Sequence, residues 1–394
     1  MKRCWLACVV VVLLPHMVNA SVVPCGGSFE SFVENVRQEG IGRGHDPAMV
    51  DSFLQHASHD PEVIRRDNAQ GIFKRSFIDF STLVMSDHRI VKGREFRQRH
   101  GAELQAVFER YGVQPGVLLA FLALETDYGV VQGDFNTLNS LITLSHDCRR
   151  PELFQPHLFA AMKLFGNGSF DPVETQGAWA GEIGMIQLLP EDILQFGTDA
   201  DGDGKVDLRG SAADALMTAG RVLNSFGWQP REPWLIEILV PESLDWAETG
   251  VRKPKTLEEW RALGVSPRSG NWPALSLEAS ILLPHGRKGP AFFAFSNFNV
   301  YLEWNRSLVY ATTSAFFATL LSGEPLYLKG NPPPQLTNEE IVWLQSRLVE
   351  LGHDVGGVDG IVGSMTRAAV QNEQVRLGIP ADAWPTSELI ALLR

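Results

Sequence analysis

The chain is poor in cysteine and in basic residues. Its 394 residues include 4 cysteines, and 34 Lys and Arg stand against 46 Asp and Glu, a formal net charge of -12. A DNA-coating role is therefore excluded, because phosphate binding needs an excess of basic residues. The 36 glycines and 23 prolines are too few for a collagen-like or low-complexity chain. A hydrophobic share of 44% predicts a globular protein of two or three domains.

Long apolar runs and common cofactor motifs are also missing. We find no P-loop, no Rossmann glycine fingerprint, no HExxH zinc signature and no GxSxG elbow. The N-terminal apolar run, residues 5–14, follows Lys2 and Arg3 and precedes the small-residue site Val18-Asn19-Ala20. It is shorter than the roughly 20 residues that a transmembrane helix needs. We predict a signal peptide at 1–20, with a retained N-terminal anchor as the alternative.

Export determines how the cysteines are interpreted. Cys4 and Cys8 would leave with the signal peptide, and Cys25 and Cys148 would remain. Two cysteines in an oxidising compartment predict a disulfide, which would stabilise the fold by about 4 kcal/mol; two unpaired thiols are the alternative. A lipoprotein anchor is disfavoured, because the residues before Cys25 make a poor acylation box. The predicted location is the periplasm.

The periodicity of apolar residues indicates a mainly helical protein. Apolar positions recur at three- and four-residue steps from 28 to 112, including one predicted helix over 96–111. The stretch 235–283 is richer in Pro and Trp and predicts a few strands. We divide the chain into a signal peptide at 1–20, a main domain at 21–329, a Pro-rich linker at 330–336 and a three-helix module at 337–394.

Glu125 is the first candidate catalytic residue. It ends the apolar run 118–124, in a helix that Pro115 opens. A carboxyl that emerges from an apolar helix is partly desolvated, which raises its pKa and makes it a usable general acid. The alternative is a surface Glu near a helix C-terminus.

Two further segments have a composition suited to sugar rings. Residues 177–190 combine small residues with Trp179, and residues 297–311 mix aromatic side chains with amides. The alternatives are a tight helix-packing turn for the first segment and an ordinary amphipathic helix for the second.

An acidic loop resembles most of an EF-hand. Carboxylates stand at loop positions 1, 3, 5 and 9, with Gly at position 6. The final Glu is missing, since position 12 is Gly210. The candidate ligands are Asp199, Asp201, Asp203, the carbonyl of Lys205, and Asp214. The alternative is a solvated acidic turn that begins the next helix.

Taken together, these segments resemble the lytic murein transglycosylase B family. The matching motifs, in chain order, are Glu125 to Gly129, Thr143-Leu144 with Arg149-Arg150, Ala180-Gly181 with Gly184, Gln187 and Pro190, the acidic loop, and Asn297-Phe298 with Asn305, Ser307 and Tyr310-Ala311. The tail resembles a type 1 peptidoglycan-binding module. Its signature is Asp359-Gly360, Gly363 and Thr366, followed by Ala368-Ala369-Val370.

The resemblance implies a lysozyme-like α+β catalytic domain, mainly helical, followed by a small three-helix peptidoglycan-binding domain. It implies that Glu125 is the sole acid and base. Glu125 would protonate the glycosidic oxygen between N-acetylmuramic acid and N-acetylglucosamine and then deprotonate the muramyl C6 hydroxyl. The product would be a 1,6-anhydro-muramyl end, formed without water. The alternatives are a hydrolytic muramidase and a wall-binding scaffold protein with weak turnover.

The resemblance also assigns binding roles. Gln187, Trp304, Asn305 and Tyr310 would line the sugar site, and Arg149 and Arg150 would face anionic parts of the glycan or peptide. No cofactor is required, although the acidic loop is a candidate for structural calcium. The expected partners are peptidoglycan glycan strands and not nucleic acid. No transmembrane helix is expected in the mature chain, which we expect to be a monomer recruited by wall-synthesis proteins.

The sequence departs from the family pattern at four positions near these motifs. Ala178 replaces a usual Ser, Trp304 replaces a Tyr, and Val222 replaces an aromatic residue, which would weaken a sugar subsite. Glu182 stands where a small residue is usual. Its carboxyl either raises the pKa of Glu125, if the two are close, or faces solvent.

Overall fold

The computed structural model describes residues 23–68 and 75–394, so the predicted signal peptide at 1–20 lies outside the described residues. The helices are α1 Phe29–Gly42, α2 Pro47–Leu54, α3 Pro61–Asn68, α4 Phe77–Val84, α5 Asp87–Arg99, α6 Gly101–Tyr111, α7 Pro115–Thr126, α8 Thr137–His146, α9 Pro151–Gly166, α10 Pro190–Phe196, α11 Ala212–Ser225, α12 Leu257–Ala262, α13 Ser296–Trp304, α14 Leu308–Leu321, α15 Asn338–Glu350, α16 Ser364–Arg376 and α17 Ser387–Leu393. The strands are β1 Phe135–Asn136, β2 Gln176–Gly177, β3 Leu235–Leu239, β4 Lys255–Thr256, β5 Ser266–Pro267, β6 Glu278–Leu282 and β7 Phe292–Phe295, and Trp246–Glu248 is a 3₁₀ turn. The prediction of a mainly helical protein is confirmed.

Helix α7 runs through the centre of the largest core. Pro115 occupies its first turn, where the missing N–H costs nothing, and every residue from Gly116 to Ala123 is buried. A helix that is apolar all round belongs inside the protein. It packs along α14, and a Cβ at Gly116 would lie 2.7 Å from the carbonyl oxygen of Ala318. Only glycine permits this close approach, which holds the two helices side by side.

A five-stranded antiparallel sheet stands beside the helices, in the order β4-β6-β7-β3-β5. Ser280 of β6 lies opposite Ala294 of β7, and Ile236 of β3 lies opposite Phe293. One face of the sheet supports a second core around Trp260, which is fully buried and donates its indole N–H to the carbonyl oxygen of Ala279 at 2.7 Å. The strands predicted over 235–283 are confirmed.

The predicted helix over 96–111 is wrong in one respect. The chain forms two helices there, because α5 ends at Arg99 and α6 begins at Gly101. The residue between them, His100, has φ -115° and ψ 34°, which is outside the helical region. Apolar spacing continues across the break, so periodicity alone does not reveal it.

A disulfide joins Cys25 to Cys148, 123 residues apart in sequence. The predicted pairing is confirmed. The arm before α1 is held further by Gln155 of α9, which accepts from the Val23 N–H at 2.7 Å and donates to the Val23 carbonyl at 2.8 Å. The covalent bond and these two hydrogen bonds fix the arm against the helical body.

The C-terminal module contains α15, α16 and α17 around its own small core. It is docked on the preceding domain through the buried side chain of Arg367, which donates to the carbonyl oxygens of Leu283, at 2.5 Å, and Pro284. The guanidinium also lies over the ring of Trp384. The linker also packs closely on the preceding domain at Gly330. A Cβ there would collide with the carbonyl oxygen of Lys288, and the φ of Gly330 is +64°. The module is therefore attached through specific polar contacts.

Across residues 23–68 and 75–394, no single helix has the length and apolar character to cross a membrane. One bent pair, Gly101–Tyr111 with Pro115–Thr126 at 116°, meets that test only when the two helices are counted together.

Candidate active site

The carboxyl of Glu125 lies where α7, α13 and α14 meet. Its Oε1 accepts the indole N–H of Trp304 at 3.0 Å and the phenolic O–H of Tyr310. Trp304 ends α13, and Tyr310 lies in the first turn of α14. The structure thus brings together three of the residues that the sequence indicated for catalysis and sugar binding.

Burial raises the pKa of Glu125 above its usual range, and the hydrogen bonds from Tyr310 and Trp304 partly oppose that rise because they stabilise the carboxylate. Burial also raises the pKa of the Tyr310 hydroxyl well above 10. The phenol therefore stays protonated and acts as a donor throughout the physiological range. Because both donors bind Oε1, the proton of the acid form is expected on Oε2.

The end of α7 is shaped by two residues in the left-handed region, Asp127 at φ 51° and Tyr128 at φ 63°. The carboxylate of Asp127 accepts from Arg89 at 3.2 Å and from Lys92 at 2.5 Å, and these ion pairs hold the unfavourable conformation. Asp127 therefore turns away from the catalytic carboxyl and forms part of its support. The hydroxyl of Thr126 ties the same end to residues 177–190 by donating to the Met185 carbonyl at 2.7 Å.

An aromatic wall forms one side of the site. The ring of Phe121 lies 4.4 Å from that of Trp304 and stacks at 5.0 Å on Tyr301, centroid to centroid. The hydroxyl of Tyr301 is buried and has no hydrogen-bond partner among the described residues. The sequence did not single out Tyr301. The available signal was its three-residue spacing from Trp304 on one helix face.

Gln187 occupies a strained turn beside the site. Its φ is 51°, and its side-chain amide donates to the carbonyl oxygens of Gly184, at 2.8 Å, and Gln132, at 3.3 Å. Gln132 in turn donates to the carbonyl oxygen of Gly129, just after α7. Gln187 is therefore coupled to the end of the helix that carries the acid. Sequence reasoning missed Gln132, because nothing in its surroundings marks it.

Glu182 lies in the same segment, and its side chain does not face open solvent. Its Oε2 is buried and has no partner in the described part of the chain. Burial raises its pKa, and the negative charge of Glu125 raises it further. Of the two alternatives left open by the sequence, the one in which this carboxyl faces solvent is therefore wrong for its Oε2. Burial is the cause of the raised pKa of Glu125 itself, so an effect of Glu182 on Glu125 stays a prediction.

Arg149 and Arg150 lie apart from this cluster. Both guanidinium groups pair with the buried carboxylate of Asp67, at the end of α3, and Arg149 also donates to Asn68 at 2.8 Å. They flank the disulfide at the start of α9. The side chains remain 43% and 40% exposed, which leaves room for a ligand. Their expected role in binding anionic glycan groups stays a prediction.

Three further residues singled out by the family resemblance, of which Asn305 was the predicted binding residue, lie in well-packed surroundings. Asn305 ends α13, and its Oδ1 accepts the backbone N–H of Ser307 at 2.9 Å. Asn297 is fully buried and donates to the carbonyl oxygens of Gln229 and Glu232, which fixes that loop. Val222 is buried in the main core of the protein, where it packs among helices.

The acidic loop brings three carboxylates together. One oxygen from each of Asp199, Asp201 and Asp203 lies within 4.8 Å of the others, and all three side chains are exposed. Asp214 does not join them, because its two oxygens accept the backbone N–H groups of Ala200 and Asp207, at 2.7 and 2.8 Å. It is fully buried and ties the two ends of the loop together. Three of the five predicted ligands therefore fit the oxygen-rich shell that calcium prefers.

A half-buried acid of raised pKa beside aromatic side chains is suited to general acid catalysis, the chemistry that glycan-cleaving enzymes use. Comparison with known proteins then gives the family. Residues 28–319 match the transglycosylase SLT domain, and residues 337–393 match a putative peptidoglycan binding domain. The chain belongs to the SLT transglycosylase family, which confirms the resemblance read from its motifs.

Three relatives illustrate the match. The chain is 25% identical over 309 residues to membrane-bound lytic murein transglycosylase B of Escherichia coli K12, covering 74% of this chain and 83% of that one. The crystal structure of SltB3 from Pseudomonas aeruginosa, in complex with NAG-anhNAM-pentapeptide, superposes with a TM-score of 0.86 at 34% identity, covering 94% of this chain and all of that one. The Escherichia coli lytic transglycosylase Slt35, in complex with calcium, shares the fold with a TM-score of 0.65 at 22% identity, covering 78% of this chain and 98% of that one.

Proposed function

We propose that this protein cleaves the β-1,4 bond between N-acetylmuramic acid and N-acetylglucosamine in peptidoglycan without water, and that Glu125 is its single acid and base. The observation that carries the proposal is the hydrogen-bonded carboxyl of Glu125, with both donors on Oε1. SltB3, at 34% identity, was crystallised with both NAG-NAM-pentapeptide and NAG-anhNAM-pentapeptide. These are the disaccharide peptides expected before and after such a reaction.

The first step uses the acid form of Glu125. Its raised pKa keeps a proton on Oε2, which passes to the glycosidic oxygen as the bond to the muramyl C1 breaks. The carboxylate left behind is stabilised by Trp304 and Tyr310, whose donors are already in place and need no reorganisation. The aromatic wall excludes water from one side of the carboxyl.

The second step uses the carboxylate as a base. Glu125 takes the proton from the muramyl C6 hydroxyl as its oxygen attacks C1, which returns the carboxyl to its starting state and leaves a 1,6-anhydro end. No water is consumed, so no second carboxylate is needed to activate one, unlike in most glycosidases. The runner-up reaction is hydrolysis, which would place a water at C1 instead.

The substrate would lie against Trp304, the partly exposed member of the aromatic wall, with Gln187 and Asn305 facing the sugar amides. We infer that Arg149 and Arg150 meet carboxylates of the peptide stems with their exposed faces. The C-terminal module would hold a neighbouring stretch of the wall. We expect a monomer that acts on glycan strands and is recruited by wall-synthesis proteins, and no role for nucleic acid.

The remaining parts of the proposal concern location and metal. We propose that residues 1–20 direct export to the periplasm, that the catalytic domain spans 21–329, and that a linker at 330–336 leads to the module at 337–394. A calcium ion would bind Asp199, Asp201 and Asp203 and stiffen their loop, without a part in the reaction. No lipid anchor and no catalytic cofactor are needed.

The test is digestion of purified sacculi by the wild type, Glu125→Gln and the control Glu174→Gln. Glu174 is exposed on the turn before β2, so the control makes the same chemical change at a residue that does not contact the acid. We expect wild type and control to release soluble muropeptides and Glu125→Gln to release at least about a hundredfold less, because a catalytic acid typically contributes roughly 10²–10⁴-fold. Equal release by Glu125→Gln would contradict the assignment.

A further inference from the structure

A crevice of about 180 Å³ lies between the catalytic domain and the C-terminal module, and the proposed mechanism does not use it. Phe77 and Pro284 line it from the catalytic domain, and Gly360 and Trp384 line it from the module. Gly360 belongs to the Asp-Gly signature on which the resemblance to a wall-binding module rests. That signature therefore borders the cavity between the two domains.

The described residues that line the crevice carry positive charge only. They include Arg75 and Arg367 and no Asp or Glu, in a chain whose formal net charge is -12. The buried guanidinium of Arg367 donates to two neutral acceptors, the carbonyl oxygens of Leu283 and Pro284. Burial lowers the pKa of Arg367 to about 10, so the group is still charged at neutral pH. A buried cation that lacks a paired carboxylate favours an anionic ligand.

The carboxylate whose charge acts on Arg367 is already bound by other groups. It belongs to Asp382, whose Oδ2 accepts the backbone N–H of Arg287 at 2.9 Å. Its Oδ1 accepts the side-chain amide of Gln374 and the backbone N–H of Trp384, each at 3.1 Å. These three donors satisfy the carboxylate, so the crevice keeps its positive character.

Two buried polar atoms of residues that line the crevice lack partners. The indole N–H of Trp384, a residue only 5% exposed, and the Oδ1 of Asn338 have no hydrogen-bond partner in the described part of the chain. Gly360 makes room for the amide of Asn338, since a Cβ at Gly360 would collide with Oδ1. Buried donors and acceptors are normally paired, so a free donor and a free acceptor at one cavity point to a ligand that satisfies both. A carboxylate with a neighbouring N–H, the carboxyl end of a peptide, has this chemistry.

The crevice begins beside the catalytic residues. Leu308 and Val309 line it and directly precede Tyr310, which donates to Oε1 of Glu125. Helices α14 and α15 both begin here, at Leu308 and Asn338, so the positive ends of two helix dipoles lie at the crevice. An extended pentapeptide spans roughly 16–18 Å, about three turns of a helix. A stem carried by a sugar at Glu125 is therefore long enough to reach the crevice.

We propose that this crevice binds the carboxyl-terminal end of a peptidoglycan peptide stem while the disaccharide of that stem lies at Glu125. The terminal carboxylate would accept the indole N–H of Trp384 and lie near the charges of Arg75 and Arg367. Asn338 would accept a backbone N–H of the stem. The inference rests on the proposed function, which supplies the substrate, and it makes the module select stems that end in a free carboxylate.

The experiment measures the Kd of NAG-NAM-pentapeptide by calorimetry, on the full chain carrying Glu125→Gln so that the ligand is not cleaved. The same compound with a C-terminal carboxamide, and sodium acetate as a free carboxylate, are measured in parallel. We expect the carboxamide to bind about tenfold more weakly than the acid, because it loses the charge-assisted hydrogen bond. Acetate should bind far more weakly than either compound.

Two variants in the same background locate the preference for the acid. Trp384→Phe keeps the ring and removes the indole N–H, and Asn338→Asp places a negative charge beside the ligand with almost no change in size. Asp also suits the first turn of a helix, so α15 should be preserved. Both variants should reduce the preference to about twofold or less. Arg94→Gln, at an exposed position on α5 that does not line the crevice, should leave it unchanged.

The outcomes separate this inference from the proposed function. Wild-type protein that releases no muropeptide from sacculi overturns the proposed function. If the wild type cleaves sacculi but Glu125→Gln binds the acid and the carboxamide equally, or binds neither, the inference alone is wrong. A preference that survives in Asn338→Asp places the carboxylate elsewhere and also overturns it, and this variant decides if Trp384→Phe does not fold. Acetate that binds as tightly as the pentapeptide would show a site for free carboxylates and not for stems.

Discussion

Replacing Tyr310 by Phe removes one hydroxyl from the site and leaves the aromatic packing of α14 intact. The hydroxyl donates to Oε1 of Glu125, and the acid becomes a carboxylate as the glycosidic bond breaks. A hydrogen bond to a charged group is worth about 1.5–3 kcal/mol. Because the bond strengthens as the charge develops, its loss raises the barrier by a similar amount. We therefore expect kcat to fall about 10- to 150-fold, at about 1.4 kcal/mol for each tenfold change.

The same substitution has a second signature in the pH profile. Without the Tyr310 donor the carboxylate of Glu125 is less stable, so its pKa rises further and the basic limb of kcat/KM moves to higher pH. The assay is muropeptide release across pH 4–9, with thermal unfolding to verify that the variant is folded.

Tyr301→Phe is the matched control. Tyr301 stacks on Phe121 in the same wall, and its hydroxyl is buried without a partner among the described residues. Removing it costs no hydrogen bond, so activity should stay within about twofold and stability should not fall. If Tyr310→Phe retained full activity with an unshifted pH profile, or if both variants lost activity equally, the reasoning about Glu125 and its donors would be refuted.

Three further predictions follow from the same contacts. Burial raises the pKa of Glu125 above its unfolded value, so ionisation of this carboxyl destabilises the fold as pH rises. Glu125→Gln should therefore be more stable than wild type by about 1 kcal/mol at pH 8 and equal to it at pH 4. Thermal unfolding at both pH values tests the sign of this difference. Arg367→Ala removes the buried donor to the Leu283 carbonyl, so it should cost about 2–4 kcal/mol and expose the linker at 330–336 to proteolysis. Asn372→Ala, an exposed change on the same helix, should do neither. Calcium should raise the melting temperature of the wild type, by an amount equivalent to about 2.7 kcal/mol at a hundredfold excess over Kd. It should have no effect on the melting temperature of Asp201→Asn, and equal responses of the two proteins would contradict the proposed calcium site.

The sequence predicted the catalytic helix well, because its signals are local. Pro115 opens α7, the apolar run buries it, and Glu125 emerges where the run ends. The disulfide followed from a count of cysteines, and the three-helix tail followed from periodicity. Each of these inferences needed only neighbouring residues or the identity of the cellular compartment.

The parts that the sequence did not predict depend on partners far along the chain. Arg149 and Arg150 pair with Asp67, more than eighty residues earlier, and no spacing rule identifies that carboxylate. Asp214 was expected to bind metal, but both of its oxygens accept backbone N–H groups from the loop. The Oε2 of Glu182 is buried because its segment packs on the end of α7, and a sequence pattern does not reveal that packing.

The most direct test of the account is the chemistry of the new glycan ends. Sacculi digested by the wild type in water enriched in oxygen-18 would be analysed by mass spectrometry, with Glu125→Gln as the inactive control. The account predicts 1,6-anhydro-muropeptides, lighter than hydrolysed ones by one water and free of the heavy isotope, and none from Glu125→Gln. Reducing ends that carry oxygen-18 would show that water attacks C1, and the proposed reaction without water would be wrong.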